Sequence, residues 1–275
     1  MSDDWGSLDE LLRRAETLAG AWGARARAST TVGQERALLR LFGVHGLDRS
    51  GRPLAGAVVD QWSAQVPGGL SAGVTLPFAM ALLEYDLQPQ QLALDVASGA
   101  IDLALEAELL RESDRRAVAE TEAGRLAAGA LERIDANRTA RLEILDLLGE
   151  RTRPWIGTTL LEPDVEGALE ETARLVGTGA DLLRVEVPVG RELVDRLQDA
   201  GLDVAEWRQR DHPGRPADSV ALEAVPIGSQ RGLAELRRAM DEAAAERRGY
   251  IRVATAAPAL GVPESAVVAG FERID

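Results

Sequence analysis

Apolar residues near the start of the chain recur at helical spacing: Leu8, Leu11, Leu12, Ala15, Leu18, Ala19 and Trp22 follow Ser7-Leu8-Asp9-Glu10, which has the S-x-x-E form of a capping box. Thr31-Val32-Gly33-Gln34 offers a similar start to a second helix, through Ala37, Leu38, Leu41 and Phe42, with Gly43 as its stop. The stretches Gly51 to Gly69 and Gly73 to Leu87 are apolar and punctuated by Gly and Pro, and predict short helices, the second with Pro77 inside it. Pro89 is placed as the first residue of a helix over Gln90 to Ala97, stopped by Gly99. Ser113 to Leu148, rich in Ala, Glu and Arg with opposite charges four residues apart, predicts one long or kinked helix closed by Gly149.

Near Arg151 the period changes. Trp155 to Leu161, Leu182 to Val187, Val220 to Val225 and Tyr250 to Thr255 read as strands, each followed by a helical pattern: Val165 to Val176, Arg191 to Ala200, Leu233 to Arg247 and Pro263 to Ile274. Leu202 to Trp207 is a candidate edge strand. Strands alternating with helices of this length imply parallel pairing, because a parallel connection needs a crossover. The expected fold class is therefore α/β: an N-terminal helical region over residues 1–150, then a partial (β/α) barrel over residues 151–275 with about four β/α units, where a closed barrel has eight.

Composition narrows the chemistry. The 45% of apolar residues supports a packed core. The formal charge of -14 argues against nucleic acid, whose phosphates need a basic surface. No apolar run spans a bilayer and the start, MSDDWGSLDE, lacks a basic leader, so the reading is a cytoplasmic protein with no membrane partner. Cysteine is absent, which removes thiolate chemistry and Cys-ligated metal, and His45 and His212 are too few for a histidine-rich metal site, so none is expected. All 31 basic residues are arginine; a chain without lysine cannot supply a Schiff-base lysine to a carbonyl substrate or to pyridoxal phosphate.

Two strand ends resemble each other, Glu186-Val187-Pro188-Val189-Gly190-Arg191 and Glu223-Ala224-Val225-Pro226-Ile227-Gly228-Ser229. Each sets a glycine before a helix, either as a plain tight turn or as a place where free N–H groups hold an anion, with Arg191, Ser229, Gln230 and Arg231 as the side chains that would assist. Glu162, Asp164, Glu186 and Glu223 sit at strand ends, where barrels keep acids and bases, although helix caps or surface acids account for them equally. Asp211-His212 lies in a polar loop rich in Pro, Gly and Arg, and neither histidine carries the D-x-H-x-x-G pattern of a cobalamin ligand. No dinucleotide or P-loop glycine motif is present.

Thr30-Thr31-Val32, the run Glu35 to Gly46, Pro53-Leu54, Val58-Val59-Asp60, Ala136-Asn137-Arg138, Gly179-Ala180-Asp181, Tyr250-Ile251-Arg252, Pro263-Glu264 and Glu272-Arg273-Ile274-Asp275 together carry a resemblance. In their order they resemble the large, TIM-barrel-bearing subunit of lysine 5,6-aminomutase and its ornithine 4,5-aminomutase relative. The resemblance implies a 1,2-amino shift in a basic amino acid, with adenosylcobalamin as radical source and pyridoxal phosphate as amine carrier. It also implies a partner, a cobalamin-binding Rossmann-type subunit bringing the Schiff-base lysine and the cobalamin histidine, and makes a chain supplying the second half of the barrel a further candidate partner. The family's subunit continues beyond the point matching Asp275, so the resemblance covers its first half.

At the cofactor positions the chain departs from the family. Val187 and Glu192 stand where the family has an arginine and a serine, Arg196 where it has a tyrosine, Thr255 for an asparagine and Pro258 for a serine. Losing donors and gaining like charge should weaken phosphate binding by more than about 1–2 kcal/mol. Arg191, Ser229 and Thr255 remain the candidates for cofactor contact, and no residue is assigned a catalytic role. Two alternatives stay open: a non-catalytic paralogue that scaffolds or regulates such a complex, and an independent enzyme using Glu186 or Glu223 as a base.

Overall fold

The computed structural model describes residues 32–48, 50–66, 68–69, 73–149, 154–201, 230–256 and 260–275, with a few positions between 10 and 18. The N-terminal part is helical: α1 (Val32–Leu41), α2 (Leu54–Gln65), α3 (Thr75–Tyr85), α4 (Pro89–Ala97), the short α5 (Ala104–Leu109), which the spacing did not single out, and α6 (Ser113–Leu148). In α2 the buried Leu54, Val58 and Trp62 recur every four residues, and they meet Leu39, Phe42, Phe78, Leu92 and Leu103 in one core. Trp62 satisfies its indole N–H on the carbonyl of Gly69 at 2.8 Å. The first turn of α3 is capped from another helix: Glu35 of α1 accepts from the amides of Val74 and Thr75 at 2.8 and 2.7 Å. Pro77 lies in that first turn, where its missing N–H has no intrahelical partner to lose.

The 36 residues of α6 form one helix of about 54 Å. Ala119 and Ala130 are its buried residues, so it lies along the molecule with most of its charge in solvent.

The second part alternates as expected: β1 (Gly157–Leu160), α7 (Val165–Gly177), β2 (Leu182–Glu186), α8 (Arg191–Asp199), α9 (Gln230–Arg247), β3 (Arg252–Ala256) and α10 (Gly261–Phe271). The sheet is parallel in the order β1-β2-β3, with Leu183 beside Val253 and Gly157 beside Leu182. One face carries Leu160, Leu183, Val185 and Val253 against Val165, Ala168, Leu236 and Met240 of the helices. Because β2 bonds directly to β3 along five residues, no further strand lies between them. The predicted strand Val220 to Val225, the candidate strand Leu202 to Trp207 and the Asp211-His212 loop lie outside the described residues, as does the capping box at Ser7.

The two parts share a seam. Arg40 of α1 donates Nε to Glu264 of α10 at 2.8 Å, with both side chains buried. Asn137 of α6 donates to the carbonyl of Phe271 at 2.7 Å, closing the C-terminus of α10. A Cβ on Gly270 would stand 2.7 Å from Ile134, so only glycine lets α10 approach α6 this closely. On the other side, Leu47 packs with Leu193 and Leu197 of α8, and the amide of Gly190 donates to the carbonyl of Gly51 at 2.5 Å. Gly51 has φ +76° and a Cβ there would meet the Gly190 carbonyl at 2.9 Å.

Candidate functional site

The other face of β2 and β3 borders a cleft of about 740 Å³. Its floor is Arg184, Glu186 and Ala254, which alternation turns away from the face that buries Leu183, Val185 and Val253. One wall is Glu192 and Arg196 of α8; the other is Val262, Ser265, Ala266 and Ala269 of α10, with Thr255 and Asp275 at the margin. The last four helical residues share one side of α10, opposite the side on which Glu264 and Phe271 face the helical region.

Charge in the cleft is internally matched. Arg196 bonds Glu192 at 2.7 Å, lies 3.6 Å from Glu186 and donates to the carbonyl of Leu161 at 3.3 Å. Its guanidinium is therefore already engaged by carboxylates and a carbonyl. Arg184 is the other cation of the lining, set against Glu186, Glu192 and Asp275. Such a surface attracts cations and hydroxyl or amine groups better than it attracts a phosphate.

Of the residues singled out from sequence, Thr255 lines this cleft, and so do Glu186 and the departed positions Val187, Glu192 and Arg196. Arg191 does not: its side chain is 92% exposed at the start of α8, 3.7 Å from Asp195. The Gly190 amide, one donor the anion reading needs, is spent on Gly51. Ser229 lies outside the described residues, and so do Glu223 and Pro258, while Gln230 and Arg231 are described in backbone alone. Asp164 is a helix cap, accepting from Gly167 N at 3.0 Å, and Glu186 is partnered by Arg196. His45 holds the carbonyl of Gly43 at 2.7 Å in an ordinary turn. Among the described residues no cluster of three or more acidic or histidine side chains is arranged to hold a metal.

Two aspartates, Asp181 before β2 and Asp275 at the cleft margin, carry roles that sequence reasoning did not assign. Asp181 precedes β2: its amide donates to Ile156 O at 2.7 Å, and its Oδ2 accepts from Ile156 N at 3.0 Å. Asp275, after α10, repeats this on β3: its amide donates to Val253 O at 2.8 Å, and its Oδ2 accepts from Val253 N at 2.9 Å. Each carboxylate is then pinned by arginine, Asp181 by Arg247 at 2.7 Å and Asp275 by Arg141 at 3.3 Å and Arg252 at 3.4 Å. Tyr250 donates to Asp275 Oδ1 at 3.0 Å; burial pushes its hydroxyl up to about 12, with Arg237 opposing and Asp275 adding, so it remains a donor. The one signal in the sequence was an aspartate ending the motifs Gly179-Ala180-Asp181 and Arg273-Ile274-Asp275.

Known proteins align with this chain in sequence. The lysine 5,6-aminomutase alpha subunit of Fusobacterium nucleatum subsp. nucleatum is 26% identical over 273 residues, which is 99% of this chain and 48% of that subunit. The alpha subunit of the same name from Acetoanaerobium sticklandii is 26% identical over 246 residues, 90% of this chain and 43% of that subunit. The chain thus spans about half the length of the curated relatives it matches. Residues 4–201 match the family described as the D-lysine 5,6-aminomutase TIM-barrel domain of the alpha subunit, and the chain belongs to that family.

Proposed function

We infer that the chain is the barrel-bearing component of an adenosylcobalamin- and pyridoxal-phosphate-dependent aminomutase. It serves a 1,2-amino shift on lysine, ornithine or a similar amino acid, in a cytoplasmic complex with a cobalamin-binding Rossmann-type subunit. The observation that carries this reading is the alignment with lysine 5,6-aminomutase alpha subunits along 99% of the chain. Both cofactors are assigned to the partner, because the cleft does not fit a pyridoxal phosphate held by this chain alone. Arg196 is occupied by Glu186 and Glu192, and no lysine exists to form an imine. What this chain contributes is a polar, amine-compatible floor, Arg184 and Glu186, and a wall that excludes water once the cleft is covered.

The same engagement of Arg196 favours a second reading, a scaffold that holds the cobalamin-binding subunit without chemistry. The chain mixed with its cobalamin-binding subunit, adenosylcobalamin and pyridoxal phosphate should form a complex with both cofactor absorbances. It should also move the terminal amino group of lysine or ornithine, read by mass spectrometry of the derivatised product. A stoichiometric complex that binds cobalamin but turns over neither amino acid is the scaffold; no complex at all defeats both readings.

A further inference from the structure

The central strand of a parallel sheet is covered on both faces and normally reads as an unbroken apolar run. Here β2, bonded to β1 on one side and β3 on the other, reads Leu182-Leu183-Arg184-Val185-Glu186, and the run breaks at the two positions that alternation turns to the cleft. Arg184 stands between small neighbours, Thr159 on β1 and Ala254 on β3, which leave its guanidinium room above the floor. It also differs from the other arginines of the sheet region. Arg196 is held by Glu192, Arg247 by Asp181, Arg237 and Arg273 by Asp241, and Arg252 by Asp275, whereas among the described residues no carboxylate lies within ion-pair distance of Arg184.

We propose that Arg184 anchors the carboxylate of a small amino acid in this cleft, and that Glu186 and Glu192 give the cleft its preference for that group over a phosphate. A guanidinium binds a planar carboxylate through two parallel hydrogen bonds. Glu186 follows on the same face of β2, roughly 6.5 Å along the strand, in reach of an ammonium group on the same ligand. A phosphate brings a charge of about -1.5 to -2 at neutral pH, against -1 for a carboxylate. On entering it would meet Glu186 and Glu192 in the lining, with the second arginine, Arg196, already bound to them. The ion pairs that deny Arg196 to a phosphate leave Arg184 to a carboxylate. The inference rests on the proposed function in taking the ligand to be an amino acid, and deepens it by naming the group this chain holds and the residue that holds it.

Titration calorimetry of the full chain tests this. The probes are lysine and ornithine, the carboxamides of both, which keep the amines and lose the negative charge, and inorganic phosphate. The tighter-binding amino acid should exceed its carboxamide at least tenfold, and phosphate in tenfold excess should not displace it. Arg184→Met should erase the difference between acid and carboxamide with an unchanged circular dichroism spectrum, and Arg184→Lys should restore part of it. Glu186→Gln combined with Glu192→Gln should release Arg196 and raise phosphate affinity at least tenfold. The proposal is overturned if neither amino acid binds, if acid and carboxamide bind equally, or if the preference survives Arg184→Met. Phosphate that competes in the wild type, or a double variant that gains no phosphate affinity, overturns it as well. In the complex with the cobalamin-binding subunit, Arg184→Met should raise KM at least tenfold and leave kcat in place. Turnover with an unmoved KM defeats the anchor and leaves the aminomutase reading standing. Arg184-dependent binding of the amino acid in a complex without turnover defeats that reading and leaves the anchor.

Discussion

In the helical region Leu54, Val58, Trp62, Phe78 and Leu92 are sealed by one another, and some of the buried polar groups find partners inside the same region, as Trp62 does on Gly69 and Val74 on Glu35. The sheet region closes one side in the same way, with Leu183, Val185 and Val253 under α7 and α9. Its other side is different in kind. Arg184, Glu186 and Ala254 face a cleft, and among the described residues Asp275 bonds the outer edge of β3 at Val253. The helical core is closed on itself, whereas the sheet buries one face and turns the other to a cleft.

The seam between them offers the strongest way to break this contrast. Glu264 is fully buried, with one oxygen on Arg40 and Oε2 without a hydrogen-bond partner. Glu264→Ala leaves the Arg40 guanidinium buried and unpaired, and should cost about 3–5 kcal/mol in urea unfolding. Arg40→Met combined with Glu264→Leu should recover most of that loss, because a buried pair is expensive to split and cheap to replace. If Glu264→Ala lowers hydrogen-exchange protection in β2 and β3 but not in α2 and α3, the helical region is an independent support; an equal loss in both would make the two regions one cooperative unit.

The paired aspartates test the sheet side by itself. Asp181→Ala removes a charged acceptor from Ile156 N and Arg247, and Asp275→Ala removes one from Val253 N, Tyr250, Arg141 and Arg252. Each should cost about 1.5–3 kcal/mol, the range of hydrogen bonds to charged groups, in thermal or urea unfolding. Comparable losses support the structural equivalence of the two residues. A neutral Asp275→Ala would mean that its bonds are incidental.

How far these features could be read from sequence follows the same division. The long helix over Ser113 to Leu148 and the strands beginning at Leu182 and near Tyr250 were legible because their periodicity is local. The short α5 was not, since six residues show too little of a 3.6-residue period. Strand order was the deeper failure of foresight: parallel pairing of β2 with β3 joins segments some seventy residues apart, and nothing in either segment names its neighbour. At the site, the residue types at Glu186, Glu192 and Arg196 were visible, but not that Arg196 is consumed by both carboxylates, which depends on how α8 seats against β2. Asp181 and Asp275 were visible only as parts of short motifs, because a backbone-pairing role is invisible until the strands are placed.

The smallest expected effect probes the closed region for a flaw. Glu106 of α5 is 3% exposed, and its Oε2 has no hydrogen-bond partner. Burial raises its pKa above the ordinary 4.5, with a hydrogen bond from Tyr85 opposing and the nearby Asp102 and Glu84 adding to the rise. A raised folded-state value means that the protonated carboxyl is the form the fold prefers, so the wild type keeps its full stability below pH 4.5 and loses part of it as pH rises through the folded-state pKa. Glu106→Gln keeps the shape and cannot ionise, and its carbonyl oxygen can still accept from Tyr85. Thermal unfolding should show it more stable than wild type at pH 7 by about 1 kcal/mol, with the gain shrinking on acidification and absent below pH 4.5. The comparable test on the sheet side, Glu186→Gln, removes a partner of Arg196 from an open cleft and should shift stability by less than about 1 kcal/mol at any pH. That difference in sign and pH dependence separates a carboxylate the helical region has sealed in from one the cleft leaves to solvent.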